Sequence, residues 1–144
     1  MSAYLIFEAA SRRFALPAES VRQVLRMAAP APVPGAPAAL RGVLNVHGSL
    51  VPVIDVRARL GLPSRPLDPD AHLVLARTAA GLVALEVDRV IEVGEFADSA
   101  ADAGSRWASA SQLIAGAVKV RDGVALVQAL DAIAALPSDG VAAP

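Results

Sequence analysis

Residues 33–62 read Val33-Pro-Gly-Ala-Pro-Ala-Ala-Leu40-Arg-Gly-Val-Leu-Asn45-Val-His-Gly-Ser-Leu50-Val-Pro-Val-Ile-Asp55-Val-Arg-Ala-Arg-Leu60-Gly-Leu62. Two apolar runs, Arg41–Val46 and Leu50–Ile54, flank His47-Gly48-Ser49. Short β-branched runs about a glycine turn predict a hairpin. Pro52 interrupts the return strand. It places that strand at an edge or bulge, or itself where no ladder bond is needed. Asp55 then caps a short helix, Val56–Leu60, which Gly61 ends. Upstream, Ala28–Ala39 holds four prolines and predicts an extended, partly polyproline loop.

The same grammar runs outward from this hairpin. Tyr4–Glu8 and Arg13–Leu16 read as a first hairpin. Pro17 opens a helical turn over Ala18–Arg22, and Gln23–Met27 reads as a third strand. Beyond the polar link 63–70, strands are predicted at His72–Arg77, Leu82–Val87 and Val90–Glu95. Phe96–Ser111 is small, polar and acidic, hence a loop. Gln112–Val120 and Val124–Gln128 flank Arg121-Asp122-Gly123, a strong hairpin signal. A helix over Ala129–Leu136 and a frayed tail close the chain. About ten short strands at regular spacing predict an all-β sandwich or barrels. No repeat is evident in the sequence.

Composition narrows the function. The 144 residues are 55% hydrophobic but only 3% aromatic, so the core is built from Val, Leu and Ile. Thirteen Lys and Arg against fourteen Asp and Glu give a formal charge of −1, which offers no nucleic-acid-tracking surface. There is no cysteine, so disulfides and thiolate metal sites are excluded. The uncharged runs Ala28–Leu40 and Trp107–Val118 are broken by prolines and polar residues and fall short of a spanning helix. The N-terminus lacks the basic start of a secretory signal, and a cytoplasmic protein is expected.

The stretch Val33–Leu62 resembles the signature of the CheW-like domain, the family of bacterial chemotaxis coupling proteins. The matching residues are Pro34, Gly42, Val43, Asn45, Gly48, Val51, Pro52, Asp55, Arg57, Leu60 and Gly61. The opening YLIFEAASRRFALPAESVRQVL, the segment LVALEVDRVIEV and the close AVKVRDGVALVQALDAI are similar to the family's remaining elements. The resemblance implies two interlocked five-stranded SH3-like barrels sharing a hydrophobic core, with short helices. On that basis residues 1–137 form one CheW-like domain of two intertwined barrel subdomains, with 138–144 as a flexible tail.

The resemblance also implies a non-catalytic coupler without cofactor. Its partners would be the cytoplasmic tip of a chemoreceptor, the regulatory domain of a chemotaxis-type histidine kinase, and other CheW-like domains. It would be recruited to membrane-associated receptor arrays without inserting. Carried over residue by residue, the receptor groove falls on Val21, Gln23, Val24, Gly42, Asn45 and His47. Gly48, Pro52, Asp55 and Arg57 are the structural motif, and Arg57 is expected to pair with Asp55 or the helix end. Valines 21 and 24 read equally as core or as contact.

Two positions depart from the family pattern. Many members carry an acid where this chain has Gln23, and most carry an arginine where it has His47. The departure implies altered receptor engagement with a mild pH dependence, or a role in a chemosensory pathway controlling pili, surface motility or cyclic-dinucleotide output. Read structurally, His47 is a solvated turn residue.

Other chemistry is set aside. His47, Ser49 and Asp55 suggest a hydrolytic triad, but six strand residues place Asp55 roughly 20 Å from the turn, and no nucleophile elbow is present. His47 and His72 lack metal-ligand spacing. Asp98 and Asp102 lack the Gly and Glu of a calcium loop. Trp107 reads first as a plug over the core and second as a partner anchor.

Overall fold

The structure, a computed structural model, describes residues 2–97, 112–121 and 123–136. Expectations for Trp107, Asp98, Asp102, Asp122 and the tail therefore lie outside the described residues. Ten strands are present: β1 (Ser2–Ala9), β2 (Arg12–Pro17), β3 (Val21–Arg26), β4 (Leu40–Val46), β5 (Ser49–Asp55), β6 (His72–Thr78), β7 (Gly81–Val87), β8 (Arg89–Phe96), β9 (Ile114–Val120) and β10 (Gly123–Gln128). Two short helices, α1 (Val56–Arg59) and α2 (Leu130–Ala134), follow β5 and β10.

The strands form two five-stranded sheets in the orders β8-β1-β2-β10-β9 and β3-β6-β7-β5-β4. Both sheets run antiparallel, antiparallel, parallel, antiparallel across their width. Each therefore has one parallel seam, β2 with β10 and β5 with β7, and each ends in a hairpin that feeds a short helix. The repeat absent from the sequence is thus present in the pairing. The chain crosses from the first sheet to the second after β2 and returns after β7, which interlocks the two units.

Alternation along the strands builds three apolar clusters. The shared core takes Leu5, Phe7, Phe14 and Leu16 from the first sheet and Ile54, Val74, Ala76, Val83, Leu85 and Val87 from the second. Tyr4, Ile6, Ala15, Val118, Ala125 and Val127 fill the first barrel. Val51, Val53, Leu73, Leu75 and Ala84 fill the second. Hence β1, β6 and β7 are buried on both faces, which is why they read as nearly continuous apolar runs. Phe7 stacks on Phe14 across the β1–β2 pair with ring centroids 5.6 Å apart.

Several boundaries differ from the sequence reading, most of them by one or two residues. The helix expected over Ala18–Arg22 is a single 3-10 turn, Ala18–Ser20, and Val21 already lies in β3 opposite Ala76. Sheet pairing of a β-branched residue outweighs the helical start that Pro17 offers. The third strand accordingly begins two residues before Gln23. Strand β9 begins at Ile114 rather than Gln112, and the last helix is shortened to Leu130–Ala134.

Candidate partner-binding surface

The β4–β5 hairpin closes on the pair Val46↔Ser49, leaving His47 and Gly48 as the two loop residues. Their φ angles are 51° and 86°, the positive values of a type I′ turn. Asn45 secures it, its Oδ1 accepting from the Gly48 N–H at 2.9 Å. Hydrogen-bonded pairs alternate from the turn, so Pro52 opposite Val43 falls at a non-bonded pair. The parallel ladder to β7 begins only at Val53. Of the placements open to Pro52, the strand takes the one that costs no ladder bond. Asn-Gly is the preferred pair for this turn, so the exposed substitution His47→Asn should stabilise the fold by up to about 0.5 kcal/mol; paired urea melts check it, and a lowered midpoint would argue against the turn.

Gly42 has a different task. Its φ is 150°, and a Cβ there would lie 2.2 Å from the Ala31 carbonyl oxygen. The proline-rich loop crosses β4 at this point, exchanging Ala31 N–H to Val43 O and Val43 N–H to Ala31 O, both at 2.9 Å. Gly42 is therefore buried, and it contributes by admitting the loop backbone.

Strand β3 is the outer strand of its sheet, bonded only to β6. A bulge between Val21 and Gln23 separates the fates of its valines. Val21 packs half-buried on the shared core, whereas Val24 is 40% exposed. Gln23, Asn45 and His47 are exposed. Of the six groove candidates, four reach solvent and two, Val21 and Gly42, shape the wall behind them. Leu25 and Met27 of this edge pack on the second barrel's interior together with Leu44 and Val46 of the hairpin.

A polar network lies under the hairpin. Arg41 grips Glu86 with Nε–Oε1 at 2.8 Å and Nη2–Oε2 at 3.2 Å, and its Nη2 stands 3.4 Å from Asp55 Oδ2. Asp55 and Glu86 are both buried. Burial pushes the Glu86 carboxyl up, and the Arg41 bonds only partly offset it, so it titrates above its ordinary value. Asp55 also accepts from Ala58 N–H at the start of α1 and from the Ser64 hydroxyl. The serine on Asp55 is thus Ser64, and Ser49 is exposed at the far end of β5.

Arg57 pairs with Asp88 rather than with Asp55 or the helix end, through Nε–Oδ1 at 3.0 Å and Nη2–Oδ2 at 2.6 Å. Asp88 Oδ2 also accepts from Ala10 N–H in the β1–β2 turn, so this carboxylate joins the two barrels. Arg59 donates to the carbonyls of Ala132, Ile133 and Ala135 and so holds the C-terminal end of α2. Burial acts to raise the Asp88 pKa, but the Arg57 and Ala10 hydrogen bonds and the nearby guanidinium charges outweigh it, and the net shift is downward. A depressed folded pKa means stability that is present above the ordinary value of 3.8 and is lost as pH falls through the folded value. Asp88→Asn should cost about 1–3 kcal/mol at pH 7 and remove that acid-side slope; urea melts from pH 3 to pH 7 test this, and a slope equal to the wild type's would contradict it.

The sequence reading missed Arg41, Glu86, Asp88 and Arg59. One signal was available for Glu86: a lone carboxylate inside the apolar run 82–87 demands a buried partner. Among the described residues, no cluster of His, Asp and Glu could hold a metal ion. Nor is any described helix long and apolar enough to cross a membrane.

The hairpin, the crossing loop and the two sheets fit one family description. A family model for the CheW-like domain matches residues 3–138. The chain belongs to the CheW-like family. A probable chemotaxis protein CheW of Rhizobium etli is 32% identical over 91 residues, covering 62% of this chain and 57% of that protein. The chemotaxis protein CheW of Rhizobium meliloti is 28% identical over 94 residues, 65% of this chain and 61% of the relative. That of Bacillus subtilis is 29% identical over 98 residues, 68% and 56%. The matched stretches thus span under two thirds of these relatives' length. Among solved structures, the scaffolding protein TtCheW from Thermoanaerobacter tengcongensis superposes with a TM-score of 0.76 at 20% identity, over 94% of this chain and 93% of that one. The CheW-like fold of two SH3-like barrels is thereby shared at low sequence identity.

Proposed function

We propose that this CheW-like chain is a non-catalytic, cytoplasmic adaptor that couples the tip of a chemoreceptor to the regulatory domain of a chemotaxis-type histidine kinase. The observation that carries the reading is a pair of exposed features at the two ends of the second sheet: the β4–β5 hairpin with its type I′ turn, and the open edge of β3. Together they present Gln23, Val24, Asn45 and His47 to solvent from a rigid two-barrel frame. Such a frame holds a docking surface at little ordering cost. The names of the relatives and of the structural neighbour support the same role.

The test is binding of the purified chain to two probes encoded in the same genome, a kinase regulatory domain and a receptor cytoplasmic hairpin. The adaptor reading expects both to bind, at separate sites and without competition. Binding of neither, by a chain whose circular dichroism and cooperative melting show it folded, would remove the reading.

A second reading has its own observation. Gln23 and His47 replace the acid and the arginine common in the family, and both are exposed. On this reading the chain serves a chemosensory pathway for pili, surface motility or cyclic-dinucleotide output. Deleting the gene separates the two. A defect confined to swimming favours the coupler, and one confined to surface motility favours the second reading.

A further inference from the structure

The last helix is fastened unevenly at its two ends. Strand β10 of the first barrel leads into α2, yet among the described residues the side-chain hydrogen bonds that hold α2 come from the second barrel. Arg59 Nε donates to the Ile133 carbonyl at 3.1 Å, and its Nη2 donates to those of Ala132 at 2.8 Å and Ala135 at 3.2 Å. Asp131 Oδ1 accepts from the N–H of Ala79, in the turn between β6 and β7, at 2.9 Å. Ile133 is fully buried in the shared core. The entry to α2 has no such support. Its cap residue is Ala129, which has no side-chain acceptor for the first helical N–H groups. The matching helix of the second barrel, α1, starts on Asp55, whose carboxylate accepts from the Ala58 N–H. Just before Ala129, Gln128 is 2% exposed, and among the described residues neither its Oε1 nor its Nε2 finds a hydrogen-bond partner. Gln128 stands opposite Ile114, beside a bulge in the β9–β10 pair, and Ile114 belongs to the same apolar cluster as Ile133. The unpartnered amide thus shares a face with the cluster that α2 closes.

We propose that α2 is a releasable clasp between the barrels, hinged at Ala129, that opens as a unit while both barrels stay folded. Closed, it buries Ile133 but strands both polar atoms of the Gln128 side chain, a cost that hydration removes on opening. Its ties to Asp131 and Ala135 lie at the surface and exchange readily for water. On the sheet side of the hinge, the Ala129 N–H donates to the Leu113 carbonyl at 2.8 Å, so the end of β10 stays fixed while α2 leaves. Opening uncovers the seam of the shared core, and Arg59 of the second barrel sets how often it happens. A helix end that merely frays is different, because fraying does not depend on the side chain at position 128. The clasp is a property of the fold and stands apart from the adaptor reading.

Native-state amide exchange on the full chain, followed by NMR at several urea concentrations below the transition, reads the opening. The Ile133 and Ala135 amides, bonded to the carbonyls of Ala129 and Asp131, should exchange faster than those of β6 and β7 and with almost no urea dependence. The Ala129 amide should keep the slow exchange of the sheet. Gln128→Met keeps the side-chain length and removes the amide. It should slow exchange at Ile133 and Ala135 about tenfold and leave the melting midpoint unchanged or raised. Arg59→Met should speed exchange at the same two amides about tenfold and leave β6 and β7 unchanged, with Arg59→Lys between it and the wild type. Gln128→Met decides the matter alone if Arg59→Met does not fold. Exchange at Ile133 and Ala135 with the protection and urea slope of β6 and β7 would overturn the clasp, because α2 would then open only with the whole chain. Unchanged exchange in Gln128→Met would overturn it in favour of simple fraying. Faster exchange or a lowered midpoint in that variant would overturn it too, by showing that the amide is satisfied in the closed state.

Discussion

Arg41→Met should lower the unfolding free energy by about 3–5 kcal/mol, because it strands a buried carboxylate. Glu86 is nearly enclosed, and Arg41 supplies its two-pronged partner and approaches Asp55 as well. The methionine fills much of the arginine stem's volume, so little of the loss is packing. The sign with pH is fixed. Arg41 is what holds the Glu86 pKa down, and without it a value already raised rises further. A raised folded pKa gives stability that is complete below the unfolded value and is lost as pH rises through the folded one. The deficit of the variant should therefore shrink toward pH 4–5 and be largest at pH 8. Adding Glu86→Gln should recover part of it, since a neutral amide tolerates burial better than an unpaired anion. Urea denaturation of the four members of the cycle at two pH values reads the coupling. A loss under 1 kcal/mol for Arg41→Met, independent of pH, would show that the pair is ornamental.

Gly42→Ala should cost about 3 kcal/mol or displace the proline-rich loop. The new methyl would sit 2.2 Å from the backbone oxygen of Ala31, which cannot rotate away as a side chain could. The backbone at φ 150° is itself unfavourable for alanine. Overpacking and strain each contribute about 1–3 kcal/mol. Two hydrogen bonds depend on the crossing, so the amides of Ala31 and Val43 should lose exchange protection together while β6 and β7 keep theirs. Unchanged protection at both amides with a shift under 0.5 kcal/mol would mean that the loop does not rest on Gly42.

Of these two adjacent residues, Gly42 stood among the motif residues legible at the start, whereas Arg41 did not. The hairpin, its glycine turn and the helix cap at Asp55 were readable because each depends on neighbours a few residues away. The strand count was readable because turn residues separate short β-branched runs. The over-long helix after Pro17 came from weighing local propensity against a partner strand some fifty residues on, which no window contains. The same distance hid the polar network. Arg41 meets Glu86 across 45 residues and Arg57 meets Asp88 across 31, so Asp55 looked like the nearer partner for Arg57. Valines 21 and 24 could not be told apart because a bulge between Val21 and Gln23 resets which face each side chain takes.

The most direct test of the adaptor account is sedimentation of the chain with a kinase regulatory domain and a receptor cytoplasmic hairpin from the same genome, singly and together. The account predicts one ternary species heavier than either binary complex, with the receptor hairpin and the kinase domain bound at separate surfaces. Two partners that compete for one surface, or a folded chain that sediments alone in every mixture, would contradict it.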